Sequence, residues 1–159
     1  MPRWGETQLF LPERPSLQMS RILVVIQFLT ATALVVSAHF SLQHGIWLCV
    51  SAVGVLLGLW AIAAIGPTRV AIMPDVKAKT QLVTAGPYRF VRHPMYTSLL
   101  LFGGGFVFSP FHWWKVGVWF VLLFVLVGKS FIEERKLNEQ FSEYPDYSKR
   151  TFRFVPFLW

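Results

Sequence analysis

The run GIWLCVSAVGVLLGLWAIAAI, residues 45 to 65, contains no charged side chain. A helix needs about 20 predominantly apolar residues to cross the hydrocarbon of a bilayer, and this run meets that requirement. Outward from it, Ile22 to Phe40 is equally free of charge. Trp113 to Ile132 is also full length, with Lys115 near one end and Lys129 near the other. Pro94 to Phe108 is shorter, about 22 Å if it forms a straight helix. No alternation of the kind a closed β-barrel requires is present, so helices are left to satisfy the backbone in lipid. These runs predict an all-α polytopic membrane bundle of about four transmembrane helices, the third short, tilted or bent. A helix and tail are expected to follow at the C-terminus, on the cytoplasmic side.

Composition points the same way. Of 159 residues, 54% are hydrophobic and 14% are charged, whereas a soluble domain carries about 25% charged residues. Too few polar groups remain to cover a water-facing surface, which excludes a soluble globular enzyme, a disordered tail and a nucleic-acid reader. The formal charge of +7 sits between the apolar runs and fits a membrane surface. The length suits one membrane domain, residues 1–159, with anchor helices in 1–65 and a core in 66–159. Pro2, Pro12 and Pro15 precede the first run, which is longer than an ordinary signal core, so it is expected to stay as an anchor. The single cysteine, Cys49, excludes an intramolecular disulfide and a cysteine metal cluster.

Basic residues set the expected orientation. Arg3, Arg14 and Arg21 precede the first run, and none separates it from the second. Arg69, Lys77, Lys79, Arg89 and Arg92 follow the second run, Lys115 alone follows the third, and Lys129, Arg135, Lys136, Lys149, Arg150 and Arg153 close the chain. The positive-inside rule then predicts an integral multi-pass protein with both termini cytoplasmic, in the inner membrane if the source is bacterial. His39, His44 and His112 fall on the face opposite His93, so no histidine metal site is expected.

Polar chemistry collects in two segments of the cytoplasmic face, Gly66 to Arg92 and Lys129 onward. Thr84-Ala85-Gly86-Pro87-Tyr88 is turn chemistry, and Pro94 is placed for the first position of helix 3. Free N–H groups and the positive dipole end at such a helix start suit a carboxylate or phosphate, although an ordinary helix start with Arg92 on headgroups and Tyr96 in the aromatic belt is the plainer reading of these residues alone. Gly103-Gly104-Gly105 lowers helix stability and suits close helix packing more than ligand contact. Glu133-Glu134 ends the fourth run, where carboxylates are expensive. Adjacent helical residues point about 100° apart, so the pair is not expected to serve one ligand. A local Lys129–Glu133 ion pair is the plain alternative. Phe141, Tyr144, Tyr147 and the Arg153-Phe154-Val155-Pro156-Phe157-Leu158-Trp159 end read as an aromatic surface anchor. Phosphate loops, HExxH and nucleophile elbows are absent.

Leu82-Val83-Thr84-Ala85-Gly86-Pro87-Tyr88-Arg89-Phe90-Val91-Arg92-His93-Pro94-Met95-Tyr96 resembles the characteristic loop of the isoprenylcysteine carboxyl methyltransferase and phospholipid methyltransferase superfamily. Glu133-Glu134-Arg135-Lys136-Leu137, with Phe141, Tyr144, Tyr147 and Val155-Pro156-Phe157, resembles its C-terminal pattern. The likeness covers roughly residues 66 to 159. It implies an integral membrane enzyme that uses S-adenosylmethionine from the cytoplasm and a lipophilic or lipidated acceptor from the bilayer, with membrane lipid as its surroundings and neither nucleic acid nor metal as partner. By the same resemblance Thr80, Gln81, Leu82, Val83 and Tyr88 line the cofactor pocket. His93, Pro94, Met95 and Tyr96 form the cofactor-binding turn, Glu133 binds the cofactor, and Lys129 stands where prenylcysteine enzymes use an arginine for the substrate carboxylate. Lysine lacks that bidentate fork, and Thr97 replaces a glycine common after the motif tyrosine.

Methyl transfer from a sulfonium is an in-line displacement, and the protein's main task is to position the reactants. A buried glutamate accepts ribose hydroxyls, and helix-start N–H groups with a histidine receive an amino-acid carboxylate. A carboxylate acceptor needs only orientation, by Arg92 or Lys129. An amine must lose a proton, to Glu134 or His93. Two other classes compete. Membrane sterol reductases have similar C-terminal halves and bind NADPH, but place an arginine–aspartate pair near a cysteine where this chain has two glutamates. A non-enzymatic adaptor explains the charge asymmetry but not the joint occurrence of turn, histidine and glutamate pair.

Overall fold

The computed structural model describes residues 14–38, 45–66 and 82–156. Thr80 and Gln81, together with His39, His44, Arg69, Lys77, Lys79 and residues 157–159, lie outside the described residues. Among the described residues there are five α-helices: α1 (Arg14–Val36), α2 (Gly45–Ile65), α3 (Pro94–Val107), α4 (Trp113–Gln140) and α5 (Tyr144–Arg150). A 3₁₀ turn, Gly86–Arg89, precedes α3, and β-structure is confined to two isolated bridges. The architecture is the expected all-α membrane bundle.

Three helices are long and apolar enough to cross a bilayer: α1 through its Gln18–Val36 stretch, α2 and α4. With 14 residues, α3 is about 21 Å long, which leaves it short of a hydrocarbon core of about 30 Å. Leu29, Leu56 and Phe124 are 65%, 65% and 70% exposed. Such faces are stable against lipid and unfavourable against water. The fourth run departs from expectation in extent. Rather than ending near Ile132, α4 continues to Gln140 because its last turns are good helix formers, with Arg135 and Glu139 paired at 3.3 Å. Glu133 and Glu134 therefore lie inside a helix.

The glycines of α3 face neighbours on three sides. A Cβ at Gly103 would touch Leu34, Trp119 and Leu122, one at Gly104 would touch Trp119, and one at Gly105 would collide with Ser51 and the Trp47 carbonyl. From the other side, a Cβ at Gly54 of α2 would lie 2.5 Å from the Phe102 backbone nitrogen. Paired glycines thus bring α2 and α3 into backbone contact, and the Ser51 hydroxyl donates across it to the Phe102 carbonyl at 2.9 Å. Close packing of small residues is how helices associate where lipid offers no hydrophobic drive. Leu34, Phe106, Val107, Leu122 and Leu126 fill the centre between α1, α3 and α4.

Lys115, in the first turn of α4, takes a part that its place in the sequence does not reveal. It is 1% exposed, and its ammonium donates to the carbonyls of Ser37 (2.9 Å), Pro110 (3.0 Å), Phe106 (3.3 Å) and Ser109 (3.4 Å). A cation there answers the carbonyls and negative dipole ends where α1 and α3 stop.

Gly54→Ala is expected to destabilise the chain in detergent, by about 1–3 kcal/mol for an overpacked contact. Gly117 faces open space, so Gly117→Ala stabilises it by roughly 0.5–1 kcal/mol through helix propensity. Thermal melting of the two variants side by side checks the pair.

Candidate active site

The site is assembled from the loop before α3, the end of α4 and the returning tail. Gly86 adopts φ +60, a left-handed backbone that favours glycine. A Cβ there would also sit 2.9 Å from that of Ala64. The turn lays the next residues beside the tail in a short parallel pairing of Val91 with Phe152. Arg92 N–H donates to the Phe152 carbonyl at 2.7 Å, His93 N–H to that of Arg153 at 3.1 Å, and Phe152 N–H to that of Phe90 at 3.0 Å. Thr97 adds a bond from its hydroxyl to the Phe154 carbonyl at 2.7 Å. A glycine at 97 would make no such bond, which accounts for the departure in physical terms. From α5, the Tyr147 hydroxyl donates to the Tyr88 carbonyl at 2.8 Å.

Glu134 is the centre of the cluster. Its Oε1 accepts from Arg92 Nε at 3.0 Å, from Arg153 Nε at 3.0 Å and from His93 Nε2 at 3.1 Å, and its Oε2 accepts from Arg153 Nη2 at 2.6 Å. Four nitrogen donors thus converge on one carboxylate, three of them on Oε1. Arg92 spends its other nitrogens on the chain itself, with Nη1 donating to the carbonyls of Ser148 (2.7 Å) and Thr151. The residues read as candidate base and candidate carboxylate guide therefore hold each other.

Glu133 is more open, with 21% side-chain exposure against 13% for Glu134. Its Oε1 accepts from the Tyr96 hydroxyl, and its Oε2 lies 3.4 Å from His93 Nδ1. Although adjacent on α4, the two glutamates share a partner within the chain itself. The His93 ring lies between them and presents a different nitrogen to each, so divergent carboxylates meet one imidazole. Tyr96 stacks on His93 with centroids 5.3 Å apart. Lys129, 1% exposed, has its ammonium 5.2 Å from the centre of the Tyr96 ring and donates to Gln27 Oε1 of α1 at 2.6 Å.

Of the residues named from the sequence, the structure brings Arg92, His93, Tyr96, Lys129, Glu133 and Glu134 together. Pro94 is buried at the first position of α3, and Met95, Leu82 and Val83 are half-buried nearby in the chain. The start of α3 is less open to an anion than its dipole suggests. Pro94 has no N–H, the N–H groups of Tyr96 and Thr97 both point at the His93 carbonyl, and the His93 imidazole is held by the glutamates. Sequence reading placed Arg153 only in a surface anchor and Gln27 only in a generic span. A lone glutamine amid an apolar run was the available signal for the second.

Burial pulls the His93 pKa down, but the hydrogen bonds and charges of Glu133 and Glu134 outweigh it and raise the value above 6.5. Burial first, with the Tyr147 and Glu133 neighbours adding to it, pushes the Tyr88 phenol upward. Burial likewise pushes Tyr147 up to about 12, so both phenols stay protonated donors.

The sequence model of the phospholipid methyltransferase family matches residues 40–144. The chain belongs to that family. The matched stretch includes the Gly86 turn, α3 and both glutamates but stops before Arg153 and begins after α1, and with the apolar helices it makes the chain a membrane protein of a methyltransferase family. Among curated relatives, the nickel-cobalt-cadmium resistance protein NccN of Alcaligenes xylosoxydans xylosoxydans is 31% identical over 106 residues, 65% of this chain and 48% of that protein. The cobalt-zinc-cadmium resistance protein CzcN of Cupriavidus metallidurans is 31% identical over 141 residues, 85% of this chain and 62% of that protein. The chain thus spans between about half and three-fifths of their lengths. Among the described residues, no three His, Cys, Asp or Glu side chains gather in a way that holds a metal ion.

Arg153→Leu removes two of the four donors to a buried carboxylate and is expected to lower stability by about 3 kcal/mol, read as a lower detergent melting temperature. A raised histidine pKa contributes stability that is fully present below the unfolded value and is lost as pH climbs through the folded one. The melting temperature should therefore fall as pH rises above 6.5, and His93→Gln should flatten that slope.

Proposed function

We propose that the chain is an integral membrane methyltransferase that takes its methyl group from S-adenosylmethionine at the cytoplasmic face and passes it to a lipophilic or lipidated acceptor in the bilayer. Family membership supports the reaction class. The observation that carries the site is the convergence of Glu133, Tyr96, His93 and Lys129 where α3 begins and α4 leaves its apolar run. Arg89, Arg92, Arg135, Lys136, Lys149, Arg150 and Arg153 follow α2 or belong to the end of α4 and the tail, which supports cytoplasmic termini by the positive-inside rule. An inner-membrane location follows if the source is bacterial.

The residues fit the donor. Glu133 keeps a partly open carboxylate, its Oε2 3.4 Å from His93 Nδ1, and a carboxylate accepts ribose hydroxyls or an adenine amine. Tyr88, Tyr96, Leu82 and Val83 offer aromatic and apolar walls, with Met95 at the turn; Thr80 and Gln81 are assigned to the same pocket by resemblance alone. When bound, S-adenosylmethionine supplies an electrophilic methyl on a sulfonium. The chain's own work is positioning. His93 holds Glu133 toward Tyr96, the Tyr96 hydroxyl fixes the carboxylate rotamer, and Glu134 with Arg92 and Arg153 locks the tail that carries this turn. Lys129, beside Tyr96 and held by Gln27, is the cation we assign to orienting an anionic acceptor. We assign Glu134 and Arg92 to positioning, because their polar atoms already face each other and the tail.

S-adenosylhomocysteine should raise the melting temperature of the detergent-extracted chain, and Glu133→Ala should abolish that rise. Membranes given methyl-labelled S-adenosylmethionine should incorporate label into a lipid or lipidated fraction. No thermal shift at saturating ligand, or NADPH oxidation in place of label transfer, would overturn the reading in favour of the reductase alternative.

A further inference from the structure

Gln27 stands at the middle of the apolar Gln18–Val36 stretch of α1, where a polar side chain is costly and marks a functional contact with a definite partner. Its partner is Lys129, whose ammonium donates to Gln27 Oε1 at 2.6 Å while facing the Tyr96 ring. Helix α1 lies outside the family match, which begins at residue 40, so the contact joins a helix that reads as a mere anchor to the centre of the site. Two physical properties give it a purpose. A lysine is a point charge on a flexible stem and lacks the self-orienting fork of arginine, so an outside restraint is needed to fix where its charge sits. An amide oxygen supplies a restraint from α1 without adding a second negative charge to the Glu133 carboxylate that already acts on this ammonium.

We infer that Gln27 is a positioning residue for the acceptor side of the site, holding the Lys129 ammonium over Tyr96 so that it faces an anionic group of the acceptor. This rests on the methyltransferase reading. It assigns α1 a share of the acceptor site and leaves the donor side to α3, α4 and the tail.

The test uses the full chain reconstituted with a total lipid extract of its expression membranes, methyl-labelled S-adenosylmethionine as donor and S-adenosylhomocysteine as donor-site probe. Gln27→Met keeps length and volume but removes the oxygen. It is expected to keep the wild-type thermal shift with S-adenosylhomocysteine, while the extract concentration giving half-maximal labelling rises about tenfold, the scale of a modest misplacement. Gln27→Glu keeps an acceptor oxygen but neutralises the lysine, and should label no better than Gln27→Met. Wild-type half-saturation in Gln27→Met, wild-type labelling in Gln27→Glu, or loss of the thermal shift in Gln27→Met would each overturn the assignment, the last by making Gln27 a donor-side or folding residue. A wild-type chain that neither binds S-adenosylhomocysteine nor transfers label brings down the methyltransferase reading itself, and this inference with it.

Discussion

A carboxylate removed from water must be met by donors, or its burial is prohibitively unfavourable. Glu134 of α4 is such a group, and the three side chains that meet it come from two other parts of the chain: Arg92 and His93 from the loop before α3, and Arg153 from the tail. Satisfying one charge therefore draws together segments that local sequence leaves independent. The backbone pairing of residues 90–93 with 152–153 follows the same path, and so does the alignment of His93 against Glu133. The site has its shape because this charge is neutralised where it is.

At the opposite end a second buried charge does comparable work with neutral partners. Lys115 collects carbonyls where α1 and α3 stop, so helix ends that water does not reach still have donors. Between these two ends the bundle relies on backbone contact, since lipid is as apolar as leucine and gives helices little reason to associate. Gly54 and Gly105 let α2 and α3 meet, and Ser51 adds a hydrogen bond at the contact. A short α3 becomes tolerable when it is held this closely by longer neighbours.

Much of this was legible before any coordinates. The apolar runs named α1, α2 and α4, Pro94 marked the first residue of α3, and the loop from Leu82 to Tyr96 with Glu133-Glu134 identified the family. Less legible was what each polar residue touches. Adjacent glutamates diverge on a helix, and that reasoning holds for a ligand approaching from one side. It is silent about a side chain such as the His93 imidazole, whose two nitrogens each reach one carboxylate. Helix-dipole reasoning made the start of α3 an anion seat, but the same backbone groups are already engaged locally. Arg153 read as a surface anchor because its partner is 19 residues away, beyond any helical spacing rule.

Hydrophobicity and charge asymmetry are additive along a chain, so the sequence alone determined that this protein lives in a bilayer, which stretches are long enough to cross it, and which segments carry its chemistry. Partnership is not additive: it depends on which donor lies within about 3 Å of which acceptor after the helices have packed. Only the tertiary structure decided that Glu134 is saturated while Glu133 stays partly open, that Lys115 caps two helices, and that Gln27 of α1 meets Lys129. A buried polar group takes whichever partner the packed helices bring to it, and spacing along one helix says nothing about what the neighbouring helix presents.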